Sequence, residues 1–245
     1  MEWSSWRNYY ETNRSRPAPE VCDAPEVSGE ERRRALARSF AVFQLGEAGE
    51  GRIATEIDRT HLGTIDDDYR VSLKHWVREE GRHGRVLGTA VRALGGRPES
   101  KNWTNDLLVV GRRLLGIRLK LLVILTAEVV GVTFYGLIAR ALGPGQIRSA
   151  LVHIVGEEEA HLRFHTRFFR AEASSAFARR CFTLAWWLVG LAACAVVLAD
   201  HWRTLRLLSI PKRVAVKAFV ALLHETQVRV VAEETADLLP QAAGA

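Results

Sequence analysis

Apolar residues recur at three- and four-residue intervals through most of this 245-residue chain. No stretch alternates apolar and polar positions long enough to make a half-buried strand, so the pattern predicts an all-α protein. Ser28 followed by Glu31 has the spacing of a capping box and opens a first long helix, expected to reach about residue 59. Its apolar stripe steps through Leu36, Phe40, Phe43, Ala54 and Ile57, and Glu47 and Glu50 fill the gap after Phe43. A second helix covers about residues 65–94, with Thr64 and Asp67 at its start and Gly95-Gly96-Arg97-Pro98 at its end. A linker to residue 105 leads to a third helix over about 106–142. Gly143-Pro144-Gly145 stops that helix, and a fourth runs over 146–173.

Two stretches depart from the amphipathic pattern. Residues 121–139 (LLVILTAEVVGVTFYGLIA) are apolar on every side and carry a single charge, Glu128. Buried without a partner, that carboxylate costs several kcal/mol or shifts its pKa, so it must be paired, neutralised or bound to a cation. Residues 181–199 (CFTLAWWLVGLAACAVVLA) carry no charge at all. At about 1.5 Å per residue this run just reaches across the ~30 Å hydrocarbon of a bilayer. Arginines flank both ends, so charge assigns no orientation. A transmembrane span, a core helix docked on the bundle, and partial insertion from one side are all compatible with it. A final amphipathic helix follows, from Pro211 to about Leu239.

Residues 1–27 are polar, with three prolines and several arginines, and read as a flexible N-terminal arm. The chain therefore divides into an arm (1–27), a helical bundle (28–175) and a C-terminal helical extension (176–245). The net charge of +6 comes mainly from arginines scattered through every segment, which favours a solvated surface or attraction to anionic lipid over a nucleic-acid groove, and no nucleic-acid partner is expected. Three cysteines without metal-type spacing indicate a reducing compartment. The N-terminal residues lack the apolar core of a secretory signal, so a cytoplasmic, membrane-associated location is expected.

The chemistry lies in a repeat. Glu80-x-x-His83 and Glu158-x-x-His161 each put a carboxylate and an imidazole on one helix face, and the two pairs are 78 positions apart. Glu50 and Glu128 are also 78 positions apart, so each half has a Glu thirty residues ahead of its Glu-x-x-His. The chain reads as a duplicated helical hairpin. Four carboxylates and two imidazoles suit two iron or manganese ions, whereas structural zinc normally takes thiolates. Glu79, Glu157 and Glu159 are assigned to solvated faces among the arginines. Tyr135, two turns past Glu128, is read as a core tyrosine with a satisfied hydroxyl. His165 stands either behind the ligands or at the surface with Arg163, Arg167 and Arg170, and Arg52 and Arg82 are read as solvated or paired with outer carboxylates. Glycines beside the ligands (Gly46, Gly49, Gly51, Gly81, Gly84, Gly131, Gly156) indicate either close helix approach or room for a substrate.

Across about residues 30–172 this arrangement resembles the ferritin-like di-iron carboxylate superfamily, in which two helices give one Glu each and two give Glu-x-x-His. The phrase Gly46-Glu47-Ala48-Gly49-Glu50-Gly51-Arg52-Ile53 is similar to the first-helix motif of rubrerythrins and demethoxyubiquinone hydroxylases, where the ligand is a Glu directly after a Gly. Both Glu47 and Glu50 meet that condition; the repeat favours Glu50.

The resemblance implies a four-helix bundle of two hairpins joined by a crossover, with Glu80 and Glu158 bridging the ions. His83 and His161 would bind one ion each, and Glu50 (or Glu47) and Glu128 would be terminal ligands. Catalysis would depend on Glu128 facing the ions. It further implies two Fe ions (Mn or mixed Fe/Mn as alternatives), O2 and a small apolar or lipid-like substrate. The expected class is an oxidase or monooxygenase with a separate electron donor, in a chain able to form homo-oligomers. The alternative is an iron-handling protein for storage, ferroxidase or peroxide scavenging. Membrane contact is expected through residues 181–199.

Overall fold

The computed structural model describes residues 3–48, 50–99 and 116–232. Among these residues there are helices and turns and no strands. We number the helices α1 (Ser4–Asn13), α2 (Glu30–Glu47), α3 (Ile53–Glu56), α4 (Asp67–Ala93), α5 (Ile117–Ala141), α6 (Gln146–Glu172), α7 (Ala176–Leu207) and α8 (Lys212–Val231).

Two helical pairs make the centre: α2 against α4, and α5 against α6. α5 and α6 are joined by a short turn, residues 142–145, whereas the connection from α2 to α4 is longer and carries α3 and two 3-10 turns. α5 is apolar all round because protein covers it, with Leu121, Leu125, Val129, Phe134 and Ile138 buried. Residues 100–105 of the linker expected between the halves, and residues 106–115 of the expected third helix, lie outside the described residues.

The local signals explain most helix ends. Asp66 caps α4 by accepting from the Tyr69 amide at 2.8 Å, and Asp67 and Asp68 place negative charge on its first turn. Thr64, expected at that cap, instead donates to Glu172 at 2.6 Å. Ser175 caps α7 by accepting from the Ala178 amide. α6 is capped from outside its own segment: the Glu26 carboxylate accepts from the Ile147 amide at 2.8 Å, in space a side chain at position 145 would fill.

Three expectations need correction. The first long helix does not continue to residue 59: α2 stops at Glu47, and short turns resume at 50–59. Gly46 and Gly51 flank that break, and glycine is the poorest helix former after proline. The capping box at Ser28 is not made, since Gly29, with φ +85°, occupies the cap position and no side chain bonds there. Residues 1–27 are not a loose arm where described. α1 buries Trp6 and Tyr10, Trp3 donates to the Thr64 carbonyl, and Arg33 ties the Ala24 and Val27 carbonyls to α2. Aromatic area outweighed the polar composition that suggested disorder.

α7 and α8 pack together and onto the bundle. Gly190 permits this, since Leu223 Cδ2 lies 2.7 Å from where its Cβ would be. Trp186 donates to the Leu223 carbonyl, and Ser39 and Thr204 hydroxyls meet at 2.7 Å between α2 and α7. Among the described residues, two helices are long and apolar enough to cross a membrane: α5, whose apolar window is 83% buried in protein, and α7, at 22%. Phe177, Leu184, Leu188 and Leu191 of α7 point outward.

Candidate metal centre

Because α4 and α6 carry Glu-x-x-His on their inward faces, the bundle brings both motifs together at its middle. Ligand atoms of Glu80, His83, Glu158 and His161 lie within 4.8 Å of one another, and all four residues are buried. The two imidazole rings are 5.4 Å apart. Glu128 joins them from α5, its Oε2 3.7 Å from His161 Nδ1.

Of the two first-helix candidates, Glu47 is described and lies beside the cluster. Its Oε1 accepts from the Tyr135 hydroxyl at 2.6 Å, and its carboxyl hydrogen-bonds Glu80. Tyr135 therefore has its satisfied hydroxyl, bonded to a residue of the centre. Glu50 opens the short turn after the break, and its side chain lies outside what is described. The repeat favours Glu50, and the break after Glu47 separates the two candidates in the fold.

Both imidazoles turn the same way. His83 Nε2 bonds Glu157 Oε2 at 2.8 Å, and His161 Nε2 bonds Glu79 Oε2 at 2.9 Å. Glu79 and Glu157, expected on solvated faces, are in fact buried, and Arg82 donates to both, at 3.0 and 3.1 Å. The residue just before each ligand Glu thus holds the histidine of the other half. An outer carboxylate on one ring nitrogen fixes the tautomer and leaves the other nitrogen free to bind a cation. The doubled Glu79-Glu80 and Glu157-Glu158 were the signal for this, since the 78-residue repeat includes them. Glu159 and Arg52 stay outside the centre.

The inner atoms are those a cation would satisfy. His83 Nδ1 is 3.0 Å from Glu158 Oε1, and His161 Nδ1 is 2.9 Å from Glu80 Oε1. Neither Nδ1 nor Glu80 Oε1 makes a well-formed hydrogen bond, although all are buried. Unpaired buried polar atoms are expensive, and such close approach without hydrogen-bond geometry is what shared ligation of a cation produces. The donor set is hard oxygen with imidazole nitrogen, fitting iron or manganese.

Electrostatics carry the same message. Burial, then the charges of Glu47 and Glu158, push the Glu80 carboxyl well above the usual range. Burial and Glu158 do the same to Glu128. Against its own burial, Glu158 is held well below that range by Glu128, His161 and His83 close beside it. His83 is lifted to about 10 despite burial, by Glu157 and Glu158, and His161 is also lifted. Glu157 falls to about 2, burial being overcome by His83 and Arg82. The carboxylates crowd more negative charge into one dry space than they can hold without protons or cations.

Compared with protein-family models, curated proteins and solved structures, the chain matches none. The site is therefore read from its own residues.

Around the ligands lies an aromatic wall that sequence reading missed. Tyr10 of α1 stands with its ring 6.1 Å from His161, and Trp3, Trp6, Tyr69 and Phe164 pack edge to face beside it. Trp76 Nε1 donates to Glu128 Oε1 at 3.0 Å. His165, open between two placements in the sequence, is fully buried. Of the glycines, Gly84 and Gly131 have Gln44 and Glu158 at 3.5 Å from their missing Cβ positions, an ordinary packing distance. Gly46, Gly51 and Gly156 face open space.

Proposed function

We propose that the protein is a di-metal carboxylate oxidase or monooxygenase, holding two iron ions (or manganese) in the ferritin-like manner. The observation that carries this reading is the buried meeting of Glu80, His83, Glu158 and His161 from two repeated helices. Glu80, His83, Glu158 and His161 would hold the ions, with Glu47 and Glu128 as further carboxylate ligands.

Bound there, the ions would supply reductive activation of O2. The chain's own residues do the rest. Glu79 and Glu157 orient the imidazoles and keep Nδ1 toward the centre. Arg82 bridges the two outer carboxylates and offsets one of their two charges. Trp76 and Tyr135 each donate to an outer ligand, Glu128 and Glu47, limiting its rotation. The aromatic wall of α1 and α6 excludes bulk water from the His161 side.

The outward apolar face of α7 supports a small apolar substrate reached from a lipid surface. Soluble monomers rarely leave such a contiguous patch uncovered. In this reading α7 and α8 rest on or dip into one leaflet, while α5 stays inside the protein. Electrons would come from a separate donor.

The test is O2 consumption by the iron-loaded, chemically reduced protein with and without a panel of lipid-like quinols and alkyl substrates. Uptake that one substrate class stimulates, with an oxygenated or dehydrogenated product, supports the proposal. Iron oxidation that no substrate affects points to iron handling instead.

A further inference from the structure

Among the described residues, the ligand set above leaves a buried imidazole beside the centre, His165, unused. His165 is one turn beyond His161 on α6 and has no measurable exposure. Neither of its ring nitrogens has a hydrogen-bond partner. Its neighbours are the edge of Trp76, at 4.9 Å between ring centres, Phe164 at 5.1 Å, and the Glu128 carboxylate. His165 Nε2 is 3.6 Å from Glu128 Oε1, too long for a hydrogen bond.

We infer that His165 is a seventh protein ligand, binding through Nε2 the same ion that Glu128 and His161 hold. The inference rests on the two-ion reading. Two donors each about 2.1 Å from one ion are roughly 3.0 Å apart at a right angle and roughly 3.6 Å apart at 120°. The Glu128–His165 separation falls in that range. A structural histidine buried this deeply normally bonds at least one nitrogen. Here the aromatic neighbours offer no acceptor, and Glu128 already accepts from Trp76 on Oε1.

The repeat sharpens the consequence. The position 78 residues before His165 is Leu87, so the first half has no equivalent imidazole. The two ions therefore differ: one has His83 with the first-helix Glu, the other has His161, His165 and Glu128. The second is the more nitrogen-rich and has one fewer position open to exogenous ligands. O2 or substrate would then approach from the His83 side.

The test uses Co(II) on the metal-free full-length protein, followed by visible absorption and by competition with a chelator. Wild type is expected to take two Co(II) per chain. His165→Ala should weaken one of them by about tenfold or more, shift its absorption, and recover both on adding imidazole. Wild-type affinities and an unchanged spectrum in His165→Ala would overturn the inference while leaving the two-ion reading intact. A wild-type chain that takes up no Co(II) would sink both. If His165→Ala does not fold, wild type labelled with ¹⁵N-histidine decides by pulsed EPR. Three coupled imidazoles support the inference, and two refute it.

Discussion

Glu79 Oε2 lies 2.9 Å from His161 Nε2, joining the residue before one ligand Glu to the histidine of the other half. Glu157 and His83 repeat the contact at 2.8 Å. The duplication thus interlocks: each hairpin orients the other's imidazole, and neither half completes a site alone. Outer partners of this kind typically contribute 10- to 100-fold to metal affinity. Glu79→Ala and Glu157→Ala are each expected to weaken one ion by about 10–100-fold in chelator competition. Equal affinity to wild type in both would show these carboxylates to be merely structural.

The first-helix ligand gives a direct comparison. Glu47→Ala should drop metal content from two ions to about one per chain, because Glu47 is the carboxylate that meets Glu80 and Tyr135. Glu50→Ala should leave two. The opposite outcome would restore the register that the repeat suggested.

Acidity offers a prediction with a definite sign. In the metal-free fold His83 is raised to about 10, and Glu80, Glu128 and His161 are also raised. The folded state then holds more protons than the unfolded chain above the ordinary imidazole value of about 6.5. The stability from His83 is full below that value and is lost as pH rises through about 10, and His161 acts in the same direction. The raised carboxyls of Glu80 and Glu128 contribute fully only below the ordinary carboxylate value of about 4.5. Urea midpoints of the metal-free protein should fall steadily from pH 7 to 9.5. Metal binding displaces those protons, so the midpoint of the loaded protein should change far less. A metal-free midpoint that rises over this interval would contradict the proton inventory.

How much of this was legible in sequence depended on what each signal measures. Periodicity and punctuation found α4 and α6 closely, because Asp66–Asp68 and the Gly-Pro-Gly turn act locally. The Glu-x-x-His repeat found the four residues that meet at the centre, since helix geometry converts spacing directly into a shared face. Glu79 and Glu157 were missed because a charged residue next to a ligand looks solvated until the partner helix is placed. α1 was missed because Trp3, Trp6 and Tyr10 are buried by distant residues, chiefly Tyr69 and Phe164.

That packing has its own consequence. Trp6 is fully buried between α1 and the His161 side of the bundle. Trp6→Ala should cost about 3–5 kcal/mol, as large aromatic truncations do, read as a lower urea midpoint. A change below about 1 kcal/mol would return residues 3–13 to the status of an arm.

For the membrane, Leu184, Leu188 and Leu191 form an outward stripe on α7. The triple change to Glu should abolish co-sedimentation with phospholipid vesicles while leaving metal content unchanged. Wild-type protein that stays in the supernatant would remove the lipid surface from the account.

The central claim is tested most directly by metal analysis of purified protein reconstituted with Fe(II) under anaerobic conditions, beside Glu128→Gln. The account predicts two ions per wild-type chain and a clear loss in the variant, whose amide cannot supply the charge of the carboxylate. Fewer than about one ion per wild-type chain, or full loading of Glu128→Gln, would contradict it.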